Sequence, residues 1–570
     1  MSFFDERPWL QTAAAGGHEV LLEPIEETTT LALFDRAVEN FPDRPAIKYY
    51  GFEPTWRELD RMTDAFAAYL VDQGFEAGDR LGVYLQNVPH YSIAVFGAWK
   101  AGGIVVPLNP MYRDELDHVF SDAEVKALVV SAAAYLDRVR PHASGLEIVV
   151  TCNEKDYQVD GDDRIFGKFQ DSYDTGRSDF AAVVEQYAGK SAPAPQLTPD
   201  SAGIIGYTSG TSGRSKGAVI THRGLSVNAQ MLRDYQGFDE TATIFTLAPV
   251  FHITGFVCQF LAAVACGAAL SMNYRFEPGA ALSTFRTDRP QYMAGPATAY
   301  MALLAHPDFT SDAFDSFTSI MSGGAPLPEA IVAKFEERTG HYIGQGYGLT
   351  ETTAQCVVVP RHLRAPVDPD SGNLSCGLPL SSVMVRIRDE SGTEVGPNEV
   401  GEICVRGPMV SPEYINNPEA TASEIPDGEL RTGDVGFMDE DGWVYIVDRK
   451  KDMINASGFK VWPREVEDVL YTHPAVLEAA VVGVPDEYRG ESVVAFVSLQ
   501  QAAQVTEEEI IAHCREHLAS YKAPRQVNFI DALPKTASGK ILRREMRRVG
   551  TEQAAPQPAA TGPADPGEQA

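Results

Sequence analysis

The strongest chemical signal in the chain is the run Tyr207-Thr208-Ser209-Gly210-Thr211-Ser212-Gly213-Arg214-Ser215-Lys216-Gly217. Glycines let a backbone approach a ligand closely, and hydroxyls with backbone N–H groups cradle phosphate oxygens. Lys216 adds a point charge suited to polyphosphate. The run follows the apolar stretch Ala202–Gly206 and precedes a helix expected over 218–232, so it reads as a loop between a buried strand and a helix. It lacks the Gly-Lys-Ser/Thr of a Walker A loop. Gly213-Arg-Ser215-Lys-Gly217 formally matches the G-x-S-x-G nucleophile elbow of serine hydrolases, but an elbow serine sits on one sharp turn and here the whole run is polar.

Further candidates follow in order. Gln345-Gly346-Tyr347-Gly348-Leu349-Thr350-Glu351-Thr352 sets an aromatic face, which suits a base, beside a carboxylate, which suits a hard cation. Ser322-Gly323-Gly324-Ala325-Pro326 precedes it, and Arg431-Thr432-Gly433-Asp434 follows. Asp448-Arg449-Lys450-Lys451-Asp452 leads to Ser457-Gly458 and Pro463-Arg464-Glu465, and Leu533-Pro-Lys-Thr-Ala-Ser538-Gly539-Lys540 comes late. Each is weak alone. In this order they resemble the adenylate-forming superfamily of acyl-CoA synthetases, nonribosomal peptide adenylation domains and luciferases, over roughly residues 30–548.

The resemblance implies roles. Thr208, Ser209, Gly210, Thr211, Ser212, Gly213 and Lys216 would bind ATP phosphates, with Ser212 and Ser215 standing where that family commonly has threonine and proline. Gly346 and Tyr347 would face adenine, Thr350 the α-phosphate, and Glu351 would hold Mg²⁺. Gly324, Ala325 and Pro326 would line the adenine side and floor the acyl pocket. Asp434 would accept the ribose hydroxyls, and Arg449 would contact ribose or phosphate. Lys451 marks the hinge, Gly458 the path of the pantetheine arm of CoA, and Lys540 would reach the α-phosphate and the substrate carboxylate. Ala248-Pro-Val-Phe-His252-Ile-Thr-Gly255 resembles the acid-binding motif, in which His252 would orient the carboxylate or gate the thiol tunnel. The expected catalytic residues are therefore Lys540, Thr350, Glu351 and His252.

The expected activity is an ATP-dependent carboxylic acid:CoA ligase using ATP, Mg²⁺ and CoA. Amino-acid-activating relatives carry an Asp near His252, and this stretch has none, so an acid without an amine is expected. Ala294-Gly-Pro-Ala-Thr-Ala-Tyr300 and Gly323-Gly324 supply small residues that leave room for an acyl chain, and Arg7-Pro-Trp9-Leu10 resembles the start of medium- and long-chain fatty acyl ligases; fatty acids lead, with aryl and branched acids open. The alternatives are an acyl-AMP ligase that loads a carrier protein and a non-catalytic acyl-nucleotide-binding protein.

The elements that must position these residues alternate between short apolar strands and helices: strands at Arg80–Leu85, Ile104–Pro107, 127–131, 148–151, 203–207 and 268–272, with helices at 31–48, 56–74 and Ser92–Ala101. Thr55 and Glu58 form a capping-box pattern for the second helix. The fold class is α/β, with parallel-sheet subdomains and a small β-barrel or hairpin set over 382–406. A small mobile α+β domain is expected over 448–550 after an N-terminal domain over 1–447, with helix 464–471, strands 478–483 and 492–499, helix 506–518 and strand 526–530. The Ala-, Pro- and Gly-rich tail 551–570 reads as disordered.

Composition closes off other classes. The 570 residues are 44% hydrophobic and carry a net charge of −32, which argues against nucleic-acid binding. The late basic cluster of Lys540, Arg543, Arg544, Arg547 and Arg548 reads as an anion site. Cysteines 152, 258, 266, 356, 376, 404 and 514 form no CxxC pair, so neither zinc nor a disulfide framework is implied and a reducing cytoplasm fits. Ile253–Leu270 has no charge, but its Thr, Gln, Gly and Ala content favours a buried helix over a membrane span. The expected partners are a small carboxylic acid, ATP and CoA; peripheral membrane association and oligomeric state stay open.

Overall fold

The computed structural model describes residues 2–17, 25–208, 214–324, 327–369, 372–449, 451–456, 459–486, 489–500, 503–535 and 541–554. Two compact units emerge, one over residues 1–447 and one beginning at Asp448.

In the first unit, two eight-stranded sheets carry mostly parallel strands. One sheet runs in the order Glu413–Tyr414, Gly217–Thr221, Ala202–Tyr207, Ile104–Pro107, Arg80–Tyr84, Val125–Ser131, Ile148–Cys152 and Ser178–Asp179. Only its first two strands pair antiparallel. The second sheet runs Ile47–Lys48, Ala269–Ser271, Thr243–Phe245, Tyr292–Gly295, Ser319–Gly323, Ile343–Leu349, Ala354–Val358 and Leu378–Pro379. It is parallel through Ile343–Leu349 and antiparallel beyond. Central strands such as Val125–Ser131 are apolar without alternation because helices cover both faces of a parallel sheet. The region expected as a small β-barrel or hairpin set lies in a four-stranded sheet of Met384–Arg388, Gly401–Arg406, Leu430–Met438 and Val444–Arg449.

The helix Trp56–Asp72 starts as its sequence dictates. The Thr55 hydroxyl accepts from Glu58 N, and Glu58 accepts from Thr55 N at 2.8 Å. Other boundaries differ from expectation. The first long helix is Thr30–Asn40, not 31–48: Pro42 stops it, and Ile47–Lys48 joins the second sheet. The Ile253–Leu270 stretch is buried and helical through Cys266, with a π-helical turn over Phe256–Leu261, and Ala269–Ser271 then leaves as a strand. Among the described residues no helix is long and apolar enough to cross a membrane. The most consequential correction concerns the phosphate loop. Gly217–Thr221 is a strand, antiparallel to Ala202–Tyr207, and the helix begins only at His222. The loop is therefore a hairpin tip rather than a strand-to-helix turn; Val219 and Ile220 are β-branched and favour the extended chain.

The second unit holds a five-stranded sheet in which Val476–Asp486 and Gly490–Leu499 pair antiparallel and Gln526–Phe529 lies parallel to the latter. Helices Pro463–Tyr471, Glu507–His517 and Arg543–Ala554 complete it. The last helix runs past residue 551, where a disordered tail was expected to begin; residues 555–570 lie outside the described residues. Arg543 is committed within this unit. It bonds Glu467 at 2.6 Å and pairs with Asp452 at 3.5 Å and Asp448 at 3.7 Å. Arg548, largely exposed, pairs with Glu545 at 3.3 Å within the same helix.

Candidate active site

The two eight-stranded sheets deliver the candidate residues from strand ends. Thr208 follows the strand Ala202–Tyr207, and its N–H donates to Lys216 O at 2.9 Å, closing the hairpin below its tip. Ser209, Gly210, Thr211, Ser212 and Gly213 lie outside the described residues. Lys216 Nζ donates to both carboxylate oxygens of Glu424, at 2.5 and 2.6 Å, and sits 4.3 Å from the centroid of the Tyr414 ring.

In the second sheet, Ile343–Leu349 ends in a tight helical turn over Thr350–Thr352. The turn is pinned by Thr352, whose hydroxyl accepts from Leu349 N at 2.8 Å and donates to Ala354 O at 2.8 Å. Ser411 N donates to Glu351 O at 2.7 Å. The Glu351 side chain is buried, and its Oε1 accepts from the Tyr414 hydroxyl at 2.7 Å. The same hydroxyl lies 2.8 Å from Glu424 Oε2. Burial and the facing Glu351 carboxylate push the Tyr414 phenol far up, so it keeps its proton. Thr350 meets the first sheet, since a Cβ on Gly206 would fall 2.8 Å from its methyl. Thr350 and Glu351 thus join Lys216 in one constellation.

A second pair forms beside it. Tyr347 is buried, and its hydroxyl donates to Asp434 Oδ2 at 2.8 Å. Burial pushes this phenol up as well, ahead of the Asp434 charge. Asp434 is held by Thr432, whose hydroxyl accepts from Asp434 N at 3.1 Å and donates to Ile403 O at 2.7 Å. Gly346 pairs in register with Gly323, and a Cβ on Gly323 would fall 3.0 Å from Gly346 O, so this part of the cradle is bare backbone. Gly324 follows with φ +81°. Ala325 and Pro326 lie outside the described residues.

His252 is brought to the end of the second sheet. It follows the strand Thr243–Phe245 and caps the short helix Ile253–Gly255, its Nδ1 accepting from Thr254 N at 3.4 Å. The turn needs Gly255, because a Cβ there would lie 2.1 Å from Pro249 O. Arg449 belongs to the second unit, where its N–H donates to Asp448 Oδ1 at 2.6 Å. Gly458 and Lys540 lie outside the described residues. Tyr414 and Glu424 were missed by sequence reasoning. Tyr414 sits on the edge strand Glu413–Tyr414, opposite Ala218, and Glu424 ends the helix Pro418–Glu424 capped by Asn417. The Asn417-Pro418 helix start was the one available signal, and it says nothing of where the far end points.

The geometry fits Mg²⁺ and a nucleotide. Glu351 offers a buried carboxylate with no Lys or Arg paired to it among the described residues. That suits Mg²⁺, which takes one or two carboxylates and completes its shell with water and substrate phosphate.

The AMP-binding enzyme family matches this chain over residues 34–415, and the AMP-binding enzyme C-terminal domain matches residues 465–540. The chain belongs to the AMP-binding enzyme family. A long-chain-fatty-acid–CoA ligase of Bacillus subtilis is 35% identical over 96% of this chain and 99% of its own length. A feruloyl-CoA synthase of Amycolatopsis is 34% identical over 89% of this chain and 96% of its own. Among solved structures, ATP-bound MatB from Rhodopseudomonas palustris superposes with a TM-score of 0.81 at 29% identity, covering 92% of this chain and 99% of that one. As an acyl-CoA synthetase in an adenylate-forming fold, this AMP-binding enzyme has the architecture its motif order implied.

Proposed function

We propose that this AMP-binding enzyme ligates a fatty acid, with long-chain acids foremost, to CoA in two steps: acyl-adenylate and pyrophosphate form from acid and ATP, and the acyl group then passes to the thiol. The observation that carries the reading is the joining of Tyr347 to Asp434 at 2.8 Å, beside the constellation of Thr350, Glu351 and Lys216. A ring that can stack on adenine and a carboxylate that can accept ribose hydroxyls are fixed to each other, within one unit that also presents a phosphate lysine and a metal carboxylate. The long-chain acid and the CoA acceptor are supported by the relatives at 31–35% identity that bear that name.

Glu351 would hold Mg²⁺, whose charge offsets the phosphates. Lys216 and the backbone of the hairpin tip bind polyphosphate. Thr350 orients the α-phosphate, and His252 aligns the carboxylate or guards the thiol's approach. Lys540 supplies the positive charge where two anions must meet, a preorganised electrostatic role. Residues 1–447 act as the nucleotide and acyl domain, and 448–550 as the mobile domain, with a hinge near Lys451. A reducing cytoplasm suits the seven free, buried thiols.

The test is acid-dependent ATP–pyrophosphate exchange across acetate to stearate, with ferulate included. A maximum among long-chain acids supports the reading. A maximum at ferulate moves the substrate to aryl acids, and no exchange with any acid refutes it.

A further inference from the structure

The link between Lys216 and Glu351 is continuous, and it runs through two residues that no part of the reaction has yet used. Lys216 Nζ lies 2.5 and 2.6 Å from the two oxygens of Glu424. Glu424 Oε2 is 2.8 Å from the Tyr414 hydroxyl, which is 2.7 Å from Glu351 Oε1. Tyr414 is 2% exposed, so its ring cannot swing out without opening the core. Its hydroxyl can only rotate.

That hydroxyl carries one proton and faces two carboxylates, so it donates to one and turns a lone pair toward the other. Glu424 already has a cation in Lys216. Glu351 has none among the described residues, so without metal the proton belongs on Glu351. A cation arriving at Glu351 reverses the preference. The hydroxyl then turns to Glu424 and partly satisfies that carboxylate, which weakens its hold on Lys216. No proton is transferred and no bond is made or broken beyond hydrogen bonds. The Lys216–Glu424 pair is partly exposed, with side chains at 23% and 39% exposure, so exchanging its carboxylate for a phosphate costs little.

We propose that Glu424 and Tyr414 form a relay: Glu424 parks Lys216 in the nucleotide-free site, and Tyr414 couples cation binding at Glu351 to release of Lys216 toward the phosphates. This rests on the reading of Glu351 as metal ligand and Lys216 as phosphate ligand. Both relay members are positioning residues, acting through Lys216 and Glu351. The relay makes Mg²⁺ and the phosphate lysine engage together, so nucleotide without metal meets a lysine that is still held.

The experiment is titration calorimetry of ATP onto the full-length protein without acid, in Mg²⁺ and in EDTA. Glu424→Gln should bind metal-free ATP roughly threefold more tightly than wild type, as expected on freeing a partly exposed pair. The gain should vanish when Lys216→Met is added. Tyr414→Phe should shrink the affinity gain that Mg²⁺ confers, and adding Tyr414→Phe to Lys216→Met should change that gain no further. If the Glu424→Gln tightening is absent, or survives without Lys216, the relay is wrong while the site assignment stands. If Lys216→Met binds ATP like wild type in both media, Lys216 is no phosphate ligand and the assignment fails together with the relay. Glu424 is the more exposed member, so its variant still decides the matter should Tyr414→Phe fold poorly.

Discussion

Replacing Tyr347 by Phe isolates one oxygen of the nucleotide site. Phe keeps the ring, its burial and its stacking face, and removes only the hydroxyl that donates to Asp434 at 2.8 Å. Asp434 is 4% exposed, so water replaces the lost donor poorly. A hydrogen bond to a charged group contributes about 1.5–3 kcal/mol. If the bond orients Asp434 for ribose, that energy is lost in the transition state, and kcat/KM for ATP falls about 10- to 100-fold. The assay is steady-state AMP formation with ATP varied at saturating acid and CoA, then with CoA varied. The account requires the loss in the ATP term, with KM for CoA within about twofold of wild type, the usual scatter of a neutral substitution. Asp434→Asn serves as the paired variant. Its combination with Tyr347→Phe should cost less than the sum of the two single changes, since the residues share one bond. Wild-type kcat/KM for ATP in Tyr347→Phe, or strict additivity with Asp434→Asn, would refute the coupling of adenine and ribose residues.

Three further outcomes are expected. Lys540→Ala should slow adenylation about 100- to 1,000-fold, the loss seen when one preorganised charge-stabilising donor is removed, while thioester formation from supplied acyl-adenylate changes little; rapid-quench measurement of each half-reaction checks it, and equal loss in both contradicts it. His222 is fully buried, 2.5 Å from the Thr30 hydroxyl, and burial pushes its pKa down to about 4. The folded state therefore binds fewer protons than the unfolded chain between roughly pH 6.5 and 4, and about 3 kcal/mol of stability present above that window is lost as pH falls through it; urea midpoints at pH 7 and pH 4.5 should separate less in His222→Gln than in wild type. Arg543→Met leaves buried Asp448 and Glu467 without their shared guanidinium, at a cost of about 3–5 kcal/mol; hydrogen exchange in the helix Arg543–Ala554 should speed up while the strand Ile343–Leu349 is unchanged.

Much of the fold is legible where the deciding forces are local. Thr55 and Glu58 announce the helix they cap, and apolar periodicity places Pro463–Tyr471 and Glu507–His517 to within a residue, while the strand expected over 478–483 extends to Val476–Asp486. Short strands such as Thr243–Phe245 and Tyr292–Gly295 were not legible, since three or four residues buried in a parallel sheet show neither alternation nor a turn signal. The polar loop ending at Lys216 suggests a strand-to-helix turn, and the strand Gly217–Thr221 that follows it is too short to show alternation despite its β-branched Val219 and Ile220. The site divides in the same way. Tyr347, Glu351 and Asp434 announce themselves through the glycines and threonines around them. Tyr414 and Glu424 lie on an edge strand and at a helix end, and only tertiary packing brings the carboxylates of Glu351 and Glu424 within 3 Å of the Tyr414 hydroxyl.

The most direct test of the central claim is AMP release from MgATP and a long-chain fatty acid, measured with and without CoA on the same preparation. A two-step ligase predicts little sustained AMP release without CoA and continuous AMP formation, matched one-for-one by acyl-CoA, once CoA is present. AMP release that CoA neither accelerates nor converts to thioester would contradict the account.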